Sequence, residues 1–274
     1  MSASAVSSRS WFRAALFCVS CCASVAFAAG DDEMFSQYRE MLGEGNPAEL
    51  VEMQGEELWS AARGPKNKPL SACDLGLGAG VVAGAYASLP RYFKDAGRVM
   101  DLETRLAWCM NDIQGLSESA VTARPFSVQG QTATDLEALT AWIAGQSRGK
   151  VISVPQKHAK EQAAFAEGKR LFNYRAGPYD FSCAGCHSQS SKRIRLTVLP
   201  NLTTQEGAAN AYRSWPAYRV SQGALRTMQW RMVDCARQQR LPELIFGSPA
   251  AVSLLTYLGA TANGGIMDAP GIKR

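Results

Sequence analysis

The chain has no low-complexity tract, no long apolar run outside its first 30 residues and little excess charge of either sign. Lysine and arginine number 29 against 24 aspartates and glutamates, a formal balance of +5. No basic run with interleaved aromatics occurs, so neither balance nor pattern argues for nucleic acid. The later stretch "LGAGVVAGAYASLP" is short and glycine-rich, too short for a spanning helix. Histidine is scarce: His158 and His187 are the only two in 274 residues.

What is present begins at the N-terminus. Residues 1–28 carry Arg9 and Arg13, no acid, an apolar run from Ala14 to about Phe27, and a small-x-small close at Ala26-Phe27-Ala28. This is the pattern of a secretory signal peptide cut near Ala28, with no membrane span expected in the mature chain. Removing the two arginines leaves 27 basic against 24 acidic residues, a balance of +3. Of eight cysteines, Cys18, Cys21 and Cys22 leave with the signal, and Cys73, Cys109, Cys183, Cys186 and Cys235 remain. An odd count in an exported chain calls for an assignment of each, since stable free thiols are uncommon in oxidising compartments.

The strongest motif is "FSCAGCH". Cys183-x-x-Cys186-His187 is the attachment sequence of a c-type haem. Two thiols one helical turn apart reach both vinyl groups of a porphyrin, and the adjacent imidazole becomes the proximal iron ligand. An amphipathic helix carrying Gly168 and Phe172 is expected upstream. His158 lies in the charged segment "QKHAKEQ" and reads as a solvated histidine rather than a ligand.

The chain also repeats itself. "LPRYFKDAGRVMDLETRLAWC" at 89–109 aligns without a gap on "WPAYRVSQGALRTMQWRMVDC" at 215–235. Proline, tyrosine, glycine, arginine and cysteine coincide at Pro90/Pro216, Tyr92/Tyr218, Gly97/Gly223, Arg105/Arg231 and Cys109/Cys235. "GEELW" at 55–59 answers "GKRLF" at 168–172. Such self-similarity signals tandem structural units. The same register sets Cys73 against Cys183, with Gly76 and Leu77 where the second copy has Cys186 and His187. The first copy is therefore expected to hold no haem, and Cys73 and Cys109 to pair with each other rather than stay free. The expected fold is mainly α: two tandem cytochrome c-like domains, residues 29–150 degenerate and haem-free, residues 151–274 carrying one covalently bound haem c.

Cys235 is then left over, on a helix expected to run from about Gly223. A distal iron ligand commonly lies downstream of the attachment motif. Met228 and Cys235, seven residues apart, share a helical face, while Met232 points elsewhere. Spacing does not choose between Met228 and Cys235. Arg231, four residues before Cys235, lies within reach of its sulfur and favours thiolate there. A plain electron carrier with His187 and Met228 as ligands stays open at this point. Arg237, Arg240 and the run Lys192, Arg193, Arg195 read as solvated surface.

An exported chain with a cysteine-bearing first half, one C-x-x-C-H in the second half, and "RMVDC" downstream resembles the SoxA family of bacterial thiosulfate-oxidising cytochromes. The resemblance covers essentially the whole mature chain. It implies two cytochrome c-like helical domains, here of the single-haem type. It implies that Cys183 and Cys186 hold the haem, that His187 is the proximal ligand, and that Cys235 is both distal ligand and catalytic residue, carried as a persulfide. Arg231 matches the family's substrate-site arginine. The implied reaction is oxidative conjugation of thiosulfate to a cysteine of a carrier protein, SoxYZ. The implied partner is the small c-type cytochrome SoxX, and the implied location is the periplasm.

Overall fold

The computed structural model describes residues 45–194 and 197–273. The signal-peptide reading of residues 1–28, and Arg195, lie outside the described residues. Helices dominate. In the first half they are α1 (Ala48–Ser60), α2 (Leu102–Asp112), α3 (Glu118–Thr122) and α4 (Asp135–Gly145). In the second half they are α5 (Ala159–Asn173), α6 (Cys183–His187), α7 (Gln205–Tyr212), α8 (Met228–Gln238) and α9 (Pro249–Thr261).

Local chemistry sets the starts of these helices. Asp101 caps α2, Thr134 caps α4 and His158 caps α5, each in a capping box closed by the third helical residue. Thr227 caps α8 through the Trp230 amide, and Ser248 caps α9 with Pro249 at its first position. His158 thus serves as a helix cap, accepting at Nδ1 from the Lys160 amide and stacking on Tyr92 with ring centroids 3.8 Å apart.

The sequence repeat is a structural repeat. The antiparallel hairpin Arg91–Phe93/Arg98–Met100 answers Ala217–Arg219/Ala224–Arg226, which gains a parallel third strand, Gly271–Lys273. Gly97 and Gly223 turn the two hairpins with φ of +66° and +59°, a conformation that favours glycine. This corrects one expectation: residues 217–226 are hairpin, and the helix bearing Cys235 begins only at Met228. The left-handed Gly223 and the Thr227 cap set that boundary.

The crossing of first and last helix recurs as well. A Cβ on Gly55 would lie 2.1 Å from the Ala138 carbonyl oxygen and 2.8 Å from Trp142 Cβ. On Gly168 it would lie 1.9 Å from the Ser253 oxygen and 2.8 Å from Tyr257 Cβ. The aromatic pairs Trp59/Trp142 and Phe172/Tyr257 pack beside these crossings at 5.7 and 5.2 Å. Each helix pair thus meets backbone to backbone at one glycine and closes over rings.

The two halves share one core. Tyr86 and Tyr212, equivalent in the repeat, stack at 6.3 Å with their planes only 10° apart. The N-termini of α2 and α8 meet: Gln229 donates to Asp101 Oδ2 at 2.6 Å, and its repeat partner Glu103 hydrogen-bonds the Thr227 cap. Arg226, 2% exposed, donates to the Ser127 carbonyl at 2.6 Å and lies 3.4 Å from Glu137. Among the described residues no helix is long and apolar enough to cross a membrane.

Candidate haem and sulfur site

In the first half, Cys73 and Cys109 are joined in a disulfide, with Cα atoms 5.8 Å apart across 36 residues of sequence. Arg105, 1% exposed, lies beside it. Its Nε donates to the Asp74 carbonyl at 2.7 Å and its fork to both oxygens of Asp95 at 3.0 and 2.8 Å. Phe93 and Trp108 cover its guanidinium at 4.1 and 4.3 Å. Arg91 lies over Gly76, donating to its carbonyl at 2.5 Å. A Cβ on Gly76 would come within 2.4 Å of the Arg91 side chain.

The corresponding region of the second half opens into a cleft of about 1310 Å³, above the usual range of small-molecule sites, about 300–1,000 Å³. Cys183, Cys186, His187, Met228, Arg231 and Cys235 all line it, so every site residue of the second half drawn from the sequence meets there. Met232 lines it too, against the expectation that it would point away. Leu171, Phe172, Leu199, Trp215, Leu254 and Leu258 supply apolar wall.

The attachment motif is itself helical. Ser182 caps α6 by accepting from the Gly185 amide, placing Cys183 and Cys186 one turn apart. The His187 ring is held by Nδ1, 3.0 Å from the Pro200 carbonyl. That partner makes Nδ1 the protonated nitrogen and leaves Nε2 free as a ligand, the usual outer-shell arrangement of a metal-bound histidine. Burial holds the His187 pKa below its ordinary 6.5, with Arg231 adding to this and the Pro200 bond opposing it. A neutral imidazole is the ligating form.

Cys183, Cys186 and Cys235 are free thiols. Cys183 is pushed up to about 11, chiefly by burial and then by the nearby Cys235. Cys235 is raised first by burial, then by Cys186 and Asp234, while Arg231 pulls it down. The arginine therefore acts on this sulfur in the expected direction, but burial outweighs it. Asp234 explains part of this. It holds Arg237 at 2.7 Å and Gln238 at 2.6 Å, and lies 3.5 Å from Arg231. Arg237 and Arg240 lie on the solvated surface as expected, Arg237 pairing there with Asp234 and Arg240 covering the Tyr179 ring at 5.4 Å.

Two contributors carried no motif signal: the Pro200 carbonyl, and Arg219, which lines the cleft from the hairpin. Arg219 was detectable only by comparing repeats position by position, because it replaces Phe93.

Two thiols on one turn, an oriented imidazole behind them and a large apolar-walled cleft in front define the binding site of a c-type cytochrome. The cytochrome c domain of the SoxA/TsdA family matches residues 54–152, the half without the C-x-x-C-H motif. The L-cysteine S-thiosulfotransferase subunit SoxA of Hydrogenophilus thermoluteolus is 49% identical over 267 residues, 95% of this chain and 97% of that protein. A subunit of the same name from Hydrogenobacter thermophilus is 32% identical over 231 residues, 83% and 82% of the two chains. Among solved structures, that of SoxXA from P. pantotrophus superposes with a TM-score of 0.71, covering 89% of this chain and 84% of that one at 23% identity. The chain belongs to the SoxA family.

Proposed function

We propose that the chain is a haem-dependent L-cysteine S-thiosulfotransferase. It joins thiosulfate oxidatively to a cysteine of a SoxYZ-like carrier protein, and Cys235 is the working residue. The observation that carries this reading is the placement of Cys235. In the first half the equivalent Cys109 reaches across to bond Cys73. In the second half Cys235 faces Cys183 and Cys186 in one cleft, with Arg231 beside it.

The chain reads as two cytochrome c-like domains, 29–150 and 151–274, following a signal peptide at 1–28 that directs it to the periplasm. Arg105, Arg91, Phe93 and Trp108 fill the ground beside the first motif, and Gly76 and Leu77 supply neither thioether nor imidazole. The first domain is accordingly haem-free, and its disulfide constrains the unfolded chain by about 3–4 kcal/mol in the chain-entropy picture. The second domain fits one haem c: Cys183 and Cys186 would hold it covalently, with His187 proximal and Cys235 distal. Met228 takes a packing role instead, at the repeat position of the buried core residue Leu102. The haem, when bound, supplies iron that tunes the Cys235 sulfur and a route for electrons.

The chain's residues account for the rest. Cys235 carries an extra sulfur as a persulfide, a reversible state of a reactive thiolate. Arg231 offsets the sulfonate charge as thiosulfate approaches. Loss of two electrons joins the persulfide sulfur to the sulfane sulfur of thiosulfate in one new S–S bond. A carrier thiolate then attacks that sulfane sulfur, takes the S–SO3 unit and restores the persulfide anion. The two electrons would leave to a c-type cytochrome acceptor, a SoxX-like small cytochrome bound as a heterodimer.

Replacing Cys235 by alanine tests the reading. The expected outcome is loss of thiosulfate-dependent carrier conjugation by at least about 10³-fold, as for removal of a catalytic nucleophile, with haem still attached at Cys183 and Cys186. A plain electron carrier ligated by Met228 would instead keep its full spectrum, including the near-infrared methionine-to-iron band, and all its activity.

A further inference from the structure

The repeat allows a charge comparison between the two halves. In the first, Arg105 has one acid bound through both fork nitrogens, Asp95, and an aromatic on each side, Phe93 and Trp108. In the second, Arg231 stands at the position of Arg105, but all three neighbours differ. Ser221 replaces Asp95, Arg219 replaces Phe93, and Asp234 replaces Trp108. A buried, neutralised arginine has thus become a pair of arginines lining an open cleft.

Their compensation is meagre. Asp234 is already engaged at 2.7 Å by Arg237 and at 2.6 Å by Gln238, and Arg231 reaches it only at 3.5 Å. Arg226, which also acts on Arg219, is committed to Glu137 and Ser127, and Lys273 stands beside Arg219 on the neighbouring strand. The Arg219 Nε is buried with no hydrogen-bond partner. Arg231 and Arg226 both lower the Arg219 pKa, behind a larger effect of burial, while Asp234 opposes them. Like charges brought together at the cost of desolvation are a feature of anion sites, where the ligand satisfies what the protein leaves unmatched.

We propose that Arg219 is the second cation of an oxyanion-holding pair with Arg231, binding either the sulfonate of thiosulfate or a propionate carboxylate of the haem. This rests on the function proposed above. An arginine is suited to the role because its planar fork can bridge two oxygens of one anion, and because it stays charged when partly buried.

The test is Arg219→Gln in the full holoprotein with its partner cytochrome, read on three axes: thiosulfate KM against kcat, competitive inhibition by sulfate as an unreactive oxyanion, and haem reduction potential. If the pair grips substrate, KM rises about 10- to 100-fold, the span of one lost charge-assisted hydrogen bond. The sulfate inhibition constant then rises with it, while kcat and the potential stay near wild type. If the pair grips a propionate, the potential shifts and its dependence on salt and pH changes, with KM held. Arg219→Lys, which keeps the charge but not the fork, retains part of either effect and is read on the same axes should the glutamine variant fail to accumulate. Unchanged KM, sulfate inhibition and potential would overturn the inference, as would equal losses in the Lys and Gln variants. A wild-type protein inactive on thiosulfate would instead overturn the proposed function.

Discussion

At the scale of single residues, the repeat shows what each substitution between the halves has done. Gly76 and Leu77 stand in place of Cys186 and His187, and Arg105 lies between the rings of Phe93 and Trp108. The junction of the halves holds a second instructive residue. Glu103 is 4% exposed, with Oε1 lacking any partner, and burial drives its pKa well above the ordinary 4.5, helped by Asp101 and Glu137 and opposed by bonds to Thr227 and Gln229. A carboxyl that keeps its proton longer in the folded than in the unfolded chain makes stability fall as pH rises from about 4.5 towards the folded value. Glu103→Gln removes that loss and keeps an oxygen for Thr227 and Gln229. Thermal melts should show the variant matching wild type near pH 4 and gaining on it steadily between about pH 5 and pH 8. Parallel melting curves across that range would mean that Glu103 is not the titrating group.

At the scale of elements, the sequence disclosed those that carry strong local signals. The C-x-x-C-H turn, the helix bearing Gly168 and Phe172, and the pairing of Cys73 with Cys109 are all where motif and repeat placed them. The hairpin at 217–226 was hidden because its residues continue smoothly into the α8 pattern, and only the positive φ of Gly223 and the Thr227 cap divide them. Met232 was misplaced for a different reason: within α8 it stands four residues after Met228 and three before Cys235, so all three share one face and line the cleft together. The Pro200 carbonyl had no sequence signal, because a backbone oxygen is positioned by chain path and not by residue type. The helix crossings were half legible, as paired glycines whose purpose emerges only in three dimensions. Gly168→Ala should therefore be costly, since its Cβ would lie 1.9 Å from the Ser253 carbonyl oxygen, a backbone atom that cannot rotate aside. Overpacking of this kind costs typically about 1–3 kcal/mol. Denaturant unfolding checks the value, and a Gly168→Ala protein as stable as wild type would show that the two helices separate freely.

At the scale of the molecule, two copies of one helical plan have taken different parts. The first is closed by a disulfide and a neutralised arginine; the second keeps the same positions open, as a cysteine and an arginine lining a cleft. They are fastened by shared polar contacts at the N-termini of α2 and α8 and by the Tyr86/Tyr212 stack. The second half therefore offers its cleft on a scaffold braced by the first. The central claim is that Cys235, and no other cysteine, carries the reacting sulfur. Mass mapping of the mature holoprotein after incubation with thiosulfate and an electron acceptor tests it directly. The account predicts haem on the peptide containing Cys183 and Cys186, a link between Cys73 and Cys109, and added sulfur or thiosulfate on the peptide containing Cys235. An unmodified, freely alkylatable Cys235 beside a methionine-ligated haem would contradict it.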